Sequence, residues 1–268
     1  MSEISVIMGV YNETNENIIN YAVDSILEQT YVDFEFIIYN DGSCKETVDI
    51  LHKISKSDDR IVLIGSDNNS GLAFSLNACI EVARGNFIAR MDCDDYSHPK
   101  RLEKQLKYLK CHPDIDWCGT NAFLFDENGI WGARKMKPTP SLNDFYKYSP
   151  YIHPSVMYRK SVFVNEGGYC ESEDTLRCED YEIFMRLHYR GLHGANIQEN
   201  LISYRETKET YAKRTWSTRV DECRLRYRNY KEMNMMSFKA CLAIIRPIVG
   251  GLVPRSVIKW KKHRDGKI

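Results

Sequence analysis

Apolar residues in the first hundred positions come in short blocks separated by polar clusters, and the blocks alternate between two spacings. Ile4 to Val10 is apolar on both faces through Ile4, Val6, Ile7, Met8 and Val10, which predicts a fully buried strand. Tyr11 to Asn15 breaks it. Apolar residues at 18, 19, 22, 23, 26 and 27 then follow the three-and-four spacing of a helix over Ile18 to Gln29. Phe34 to Tyr39 predicts a second strand, ended by Asn40-Asp41-Gly42-Ser43, and a helix runs on to about Leu51. Arg60 to Ile64 is a third strand, Gly71 marks a turn, and Phe74 to Ala83 is helical. Asn86 to Met91 is a fourth strand that runs into Asp92-Cys93-Asp94-Asp95.

This alternation predicts an α/β fold with a mostly parallel central sheet covered by helices on both faces. Ligands of such sheets sit outside the C-terminal ends of the strands. The polar clusters at 11–13, 40–43 and 92–95 all fall at such ends, so one site can collect all three.

The second half has a different pattern. Arg101 to Cys111 predicts a helix, Trp117 to Phe125 a strand, the basic stretch Trp131 to Pro140 a loop, and His153 to Tyr158 another strand. A helix begins near Glu179-Asp180 and includes Glu182 to His188. No linker interrupts the apolar clusters, so residues 1–210 read as one domain, with a donor half at 1–100 and an acceptor half at 101–210. Residues 211–268 form a helical C-terminal extension. It has a charged amphipathic helix over Tyr211 to Met236 and an apolar stretch from Ala240 to Val253, interrupted by Arg246, Pro247, Gly250 and Gly251.

Composition narrows the function. Lys plus Arg and Asp plus Glu both number 37, so no global charge pulls the chain toward nucleic acid or membrane. The nine cysteines include no Cys-x-x-Cys pair, which fits a reducing compartment and buried thiols rather than zinc. The first residues lack the basic start and apolar core of an export signal, and no run of 18 apolar residues occurs, so a cytoplasmic enzyme is expected. Neither Gly-x-Gly-x-x-Gly nor Gly-x-x-x-x-Gly-Lys-Ser/Thr occurs, which argues against dinucleotide enzymes and P-loop ATPases.

Asp92, Asp94 and Asp95 lie within four positions past an apolar strand. Carboxylates this close repel one another unless donors or a cation compensate them, and Mg²⁺ or Mn²⁺ suits oxygen ligands completed by a substrate's phosphates. The competing reading is an acidic surface turn. Asp41 before Gly42 suits a base or ribose as well as a plain turn. Glu179 and Asp180 suit a helix cap as well as a general base, and His153 suits a packed histidine as well as a ligand.

Six motifs in order carry a family resemblance: Ser5 to Asn12, Ser25-Ile26-Leu27-Glu28-Gln29-Thr30, Asp41-Gly42-Ser43, Asn69-Ser70-Gly71-Leu72-Ala73 with Asn77, Ala83 to Ala89, and Asp92-Cys93-Asp94-Asp95 with Pro99-Lys100-Arg101-Leu102. Over about residues 3–205 the chain resembles glycosyltransferase family 2, most of all the enzymes that build bacterial O-antigen, capsule and exopolysaccharide repeat units. The resemblance implies a GT-A fold, a nucleotide-sugar donor (UDP-sugar) and inversion at the anomeric carbon. It implies that Val10, Tyr11 and Asn12 line the nucleotide pocket and that Asp41 reads the uracil. Asp92 and Asp94, with Asp95 beside them, would hold the sugar nucleotide and an Mn²⁺ or Mg²⁺ ion. His153 would close the donor site and Asp180 would be the catalytic base.

Two positions depart from the family pattern, Asn40 in place of an Asp and Gly9 in place of a Pro. The Gln-x-x-Arg-Trp motif and spans of lipid-polymerising synthases are absent, which points to addition of one sugar at a time. The implied acceptor is a saccharide, polyprenyl-diphosphate-linked in many such enzymes. That would put the enzyme on the cytoplasmic face of the inner membrane.

The apolar tail, with Arg255, Lys259, Trp260, Lys261 and Lys262 after it, reads either as an interfacial segment on anionic lipid or as a helix packed on the core. The alternative function is a non-catalytic nucleotide-sugar-binding or scaffold protein of the same fold. A nucleotidyltransferase would need a Gly- and Lys-rich loop after the first strand, where Tyr11-Asn12-Glu13 stands.

Overall fold

The computed structural model describes residues 2–172, 175–207 and 215–253. Its first half follows the expected alternation: β1 (Ile4–Val10), α1 (Glu16–Leu27), β2 (Phe34–Asp41), α2 (Lys45–Ser55), β3 (Ile61–Ser66), α3 (Leu72–Val82) and β4 (Phe87–Arg90). β1 is central and pairs in parallel with β2 on one side and β4 on the other, while β3 extends the sheet beyond β2. Successive β1 residues serve opposite faces, as the pleat requires. Ile7 packs with Ile37, Leu76 and Ile88, whereas Val6 and Met8 pack with Phe36, Ile38 and Ala89. Each such side chain contributes about 1.5–3 kcal/mol by leaving water, so β1 is the anchor of the strand ends that carry the polar clusters.

After β4 the chain forms β5 (Tyr96–Ser97), α4 (Arg101–Cys111), β6 (Trp117–Asp126) and β7 (Gly129–Arg134). Then come 3-10 turns at Leu142–Tyr146 and His153–Ser155, β8 (Met157–Arg159), α5 (Lys160–Glu166), α6 (Glu179–Tyr189) and β9 (Gly194–Arg205). The strand order is β3-β2-β1-β4-β8-β6-β9-β5, with β7 paired to β6. β8 runs antiparallel to both β4 and β6, so the sheet changes direction there, and β6 and β9 are again parallel.

Three local readings need correction. Trp131 to Arg134 is strand rather than loop, since β7 closes a hairpin on β6. The stretch from His153 is a 3-10 turn before a three-residue strand, because Pro154 fixes φ and has no N–H to give a ladder. Of the nine cysteines, all free, only Cys79, Cys118 and Cys178 are buried, so most do not serve as core.

The C-terminal extension is helical where described: α7 (Trp216–Glu232) and α8 (Phe238–Leu252), the latter with Pro247 inside it. α7 buries Leu225, Arg226, Asn229 and Tyr230 against the domain. The Tyr230 and Tyr181 hydroxyls lie 2.7 Å apart, and both donate to the Phe145 carbonyl. Arg226 stacks over the Tyr181 ring at 4.5 Å. α8 buries Ala240, Ala243 and Pro247 and leaves its other face exposed. The basic residues Arg255, Lys259, Lys261 and Lys262, with Trp260 among them, lie outside the described residues. Among those described, no helix is long and apolar enough to cross a membrane.

Candidate active site

The loops that follow β1 and β2 are tied to each other. The Asn12 N–H donates to Ser43 Oγ at 3.1 Å, and Asn12 Oδ1 accepts from the Cys44 N–H at 2.7 Å. Asn12 takes a positive φ of 52°, a conformation that Asn tolerates because its side chain bonds nearby backbone. Val10 is buried beneath this junction, whereas Tyr11 is 53% exposed and available to a ligand.

Asp41 is buried at the end of β2, and its carboxylate already organises a turn. Oδ1 accepts from the Ser70 N–H at 2.7 Å, and Oδ2 accepts from the Gly71 N–H at 2.9 Å and Asn69 Nδ2 at 2.8 Å. Asp41 therefore joins β2 to the start of α3. Contact with a base would have to use the lone pairs that remain.

Past β4, Asp92, Asp94 and Asp95 bring one carboxylate oxygen each within 4.8 Å of one another. Asp92 and Asp94 are half-buried, while Asp95 is fully buried. One Asp95 oxygen accepts from the Arg205 N–H at 2.7 Å and the other has no protein donor. Burial pushes the Asp95 carboxyl well up, and the charges of Asp94 and Asp92 push it further. An uncompensated carboxylate in an all-oxygen cluster fits a hard divalent cation, so the residues present suit the implied metal. Glu13, from the β1 loop, adds its charge to those of the acidic cluster in pushing up the half-buried Cys93 thiol.

Beneath this cluster lies a residue that the sequence reading passed over. Arg90 is 2% exposed and its Nη2 pairs with Asp92 Oδ1 at 2.5 Å. Its Nε and Nη1 have no hydrogen bond in the protein. Its positive charge acts on Asp95, Glu179 and Asp180 as well as on Asp92. The available signal was a charged residue inside an otherwise apolar strand, immediately before the acidic cluster. Arg101, also buried, donates from Nη1 to the carbonyls of Arg90 and Pro154 and fixes the same corner.

Asp180 and Glu179 open α6, and their carboxylates have different surroundings. Glu179 Oε1 turns back to accept from the Arg177 N–H at 3.0 Å, a local bond at the helix start. The Ser149 hydroxyl, which donates to the Tyr151 carbonyl at 3.4 Å, is among the groups that favour the charged form of Asp180. Burial pushes its carboxyl above the ordinary range, an effect that the Tyr181 N–H, Ser149 and Arg90 only partly offset. A carboxylate held ready to take a proton has these properties. His153 is packed: its Nε2 shares a 2.8 Å hydrogen bond with the Tyr169 hydroxyl, and its ring meets Phe184 edge-on at 6.0 Å. Burial, with Arg90 nearby, pushes its pKa well down and keeps the imidazole neutral.

Residues 5–166 match the family model for glycosyl transferase family 2. EpsE, a glycosyltransferase of Bacillus subtilis, is 34% identical over 264 residues, which cover 98% of this chain and 94% of EpsE. The Escherichia coli UDP-Gal:alpha-D-GlcNAc-diphosphoundecaprenol beta-1,3-galactosyltransferase is 28% identical over 268 residues, covering 95% of this chain and 93% of its own. Among solved structures, S. aureus TarS 1-349 in complex with UDP-GlcNAc superposes with a TM-score of 0.69 at 16% identity, over 92% of this chain and 72% of TarS. That likeness shows a common fold of the GT-A type. The chain belongs to glycosyltransferase family 2.

Proposed function

We propose that the protein transfers one sugar from a UDP-sugar to a hydroxyl of a saccharide acceptor, with inversion, during synthesis of a bacterial surface polysaccharide. The observation that carries this reading is the pairing of two acidic centres around one buried cation. The Asp92–Asp94–Asp95 cluster and Asp180 come from different elements, and Arg90 acts on both.

In this reading the nucleotide lies over the ends of β1 and β2, with Val10, Tyr11 and Asn12 forming its wall. Asp41 holds the 69–71 turn in place and offers its remaining lone pairs to the base. Asp92 and Asp94 hold a divalent ion, Mn²⁺ or Mg²⁺, with Asp95 behind them. When bound, that ion supplies charge compensation for the diphosphate leaving group. Arg90 fixes Asp92 and adds a positive potential under the site. His153, neutral and buried, keeps the floor of the donor site in place. Asp180 takes the proton from the acceptor hydroxyl as that oxygen attacks the anomeric carbon. A single displacement from the face opposite the leaving group inverts the centre, and no carboxylate in the site is assigned as a sugar nucleophile.

The acceptor is proposed to be a sugar on a polyprenyl diphosphate, the kind of molecule that the name of the E. coli relative describes for that protein. The enzyme would then work as a peripheral protein at an anionic membrane surface on the cytoplasmic side. The testing experiment is turnover of a panel of UDP-, GDP- and dTDP-sugars, with Mn²⁺ or Mg²⁺ and then with EDTA. Metal-dependent turnover of one UDP-sugar supports the reading. Donor binding without turnover, with lipid-linked acceptors supplied, would instead favour a non-catalytic nucleotide-sugar-binding protein.

A further inference from the structure

A cavity of about 460 Å³ lies between the 3-10 turn at Leu142–Tyr146 and α8, away from the acidic cluster. Its charged lining is cationic: Lys147, Lys239 and Arg246 face it beside Asn143, Tyr146 and Leu242. Among the described residues no carboxylate pairs with these three cations. The nearest acid in sequence, Asp144, is already held by Lys137 and by the Ser141 N–H and hydroxyl, each at 2.8 Å. Arg246 donates to the Lys147 carbonyl, which joins the two walls.

Two features give this cavity a direction. Leu242 belongs both to its lining and to an exposed apolar stripe on α8. That stripe runs through Phe238, Leu242, Ile245, Val249 and Leu252, all at least 51% exposed and spaced four, three, four and three residues apart. α8 contains no acidic residue. On the other side, Lys147 is two residues from Ser149, one of the groups that act on the Asp180 carboxyl; that is at most about 7 Å of chain. A cationic cup therefore stands between an apolar face and the proposed base.

We propose that this cavity binds the diphosphate of a prenyl-diphosphate-linked acceptor, with the stripe of α8 lying against the lipid beside it. The proposal rests on the acceptor reading above and adds the place where the acceptor is held. The phosphates meet Lys147, Lys239 and Arg246, the prenyl chain follows the stripe, and the attached sugar is directed toward Asp180. Three exposed cations on a cup open to an apolar face suit an anion that carries a hydrocarbon chain better than a free one.

The test is a binding titration of the full chain with farnesyl diphosphate in EDTA, which leaves the acidic cluster without the ion that would draw a diphosphate into the donor site. Farnesol, inorganic diphosphate and short-chain phosphatidylglycerol serve as comparators. Farnesyl diphosphate should bind at least about tenfold more tightly than any of them. Lys239→Ala, in a side chain with no partner to lose, should weaken it about five- to tenfold, and Lys239→Glu with Arg246→Glu should do so further, with UDP affinity unchanged. Equal binding by the variants, or phosphatidylglycerol binding as tightly as farnesyl diphosphate, would overturn the proposal. Sugar transfer by a chain that does not bind farnesyl diphosphate removes this site alone. Binding without any transfer removes the transferase reading alone.

Discussion

Arg90 and Asp92, two residues apart at the end of β4, form a 2.5 Å ion pair whose cation is 2% exposed and whose anion is 30% exposed. The pair joins sheet and site, because Asp92 reaches the acidic cluster while the buried Arg90 charge acts on His153, Tyr169 and the start of α6. Arg90→Met keeps most of the volume and removes the charge, leaving Asp92 to face Asp94 and Asp95 alone. Denaturant unfolding should show a loss of about 3 kcal/mol, the lower end for breaking a buried pair because Asp92 is partly solvated. Added Mn²⁺ should recover part of that loss.

Asp180→Asn keeps shape and removes the base. Transfer should fall about 100- to 10,000-fold while UDP-sugar affinity measured by calorimetry stays within twofold. Preserved transfer would exclude Asp180 as the base.

The pH dependence of the same residue has a definite sign. Burial raises the Asp180 pKa, so the fraction able to accept a proton declines on acidification sooner than for an ordinary aspartate. The wild-type rate should fall with decreasing pH, with a midpoint above the usual aspartate range. The linked stability term runs the other way. A folded-state pKa above the unfolded one means that folding is favoured below the unfolded value and loses that contribution as pH rises through the folded value. Asp180→Asn should therefore melt no lower than wild type at neutral pH, and thermal melts at two pH values test this.

Metal binding should be visible without catalysis. The charges crowded at Asp92, Asp94 and Asp95 make ion binding a stabilising event, worth about 2.7 kcal/mol at a hundred times the dissociation constant. Mn²⁺ should raise the melting temperature and EDTA should reverse the effect. Asp94→Asn should blunt the response and suppress transfer. An unchanged melting temperature in wild type would remove the ion from the scheme.

The turn held by Asp41 gives a stability prediction of its own. Asp41→Ala leaves the Ser70 and Gly71 N–H groups without their acceptor and the Asn69 amide with only the residue 41 carbonyl, at about 2–4 kcal/mol. Gly42 beside it has φ +66°, and a Cβ there would lie 2.4 Å from the Asn68 carbonyl carbon. Gly42→Ala should cost about as much, by strain and overlap together. Chemical denaturation of both variants checks the pair.

The first hundred residues were legible because each strand is a dense apolar block with a polar stop, and the sheet there is parallel and buried on both faces. β9 was not legible. Its sequence from Gly194 to Arg205 is interrupted by Gln198-Glu199-Asn200, where its pairing with β6 shifts register between Thr120 and Ala122. β5 has two residues and no pattern to read. In the site, the acidic cluster and Asp180 could be named from sequence, but Arg90 could not, since a charge in an apolar strand shows its role only when its neighbours are known. The double duty of Asp41 was hidden for the same reason: its partners are 28 to 30 residues away.

The joint made by Tyr181, Tyr230, Arg226 and the Phe145 carbonyl has a practical bearing on shortened chains. The family match ends at residue 166 and the sheet ends with β9, which invites trimming everything beyond β9 as dispensable. Removing α7 would strip the Tyr181 hydroxyl and ring of their neighbours one residue from Asp180, and would uncover the turn that holds Phe145. A trimmed protein that lost activity would thus report a loosened helix α6 before it reported anything about lipid. Point substitutions on the outer face of α8 avoid that confusion, because they leave the joint intact.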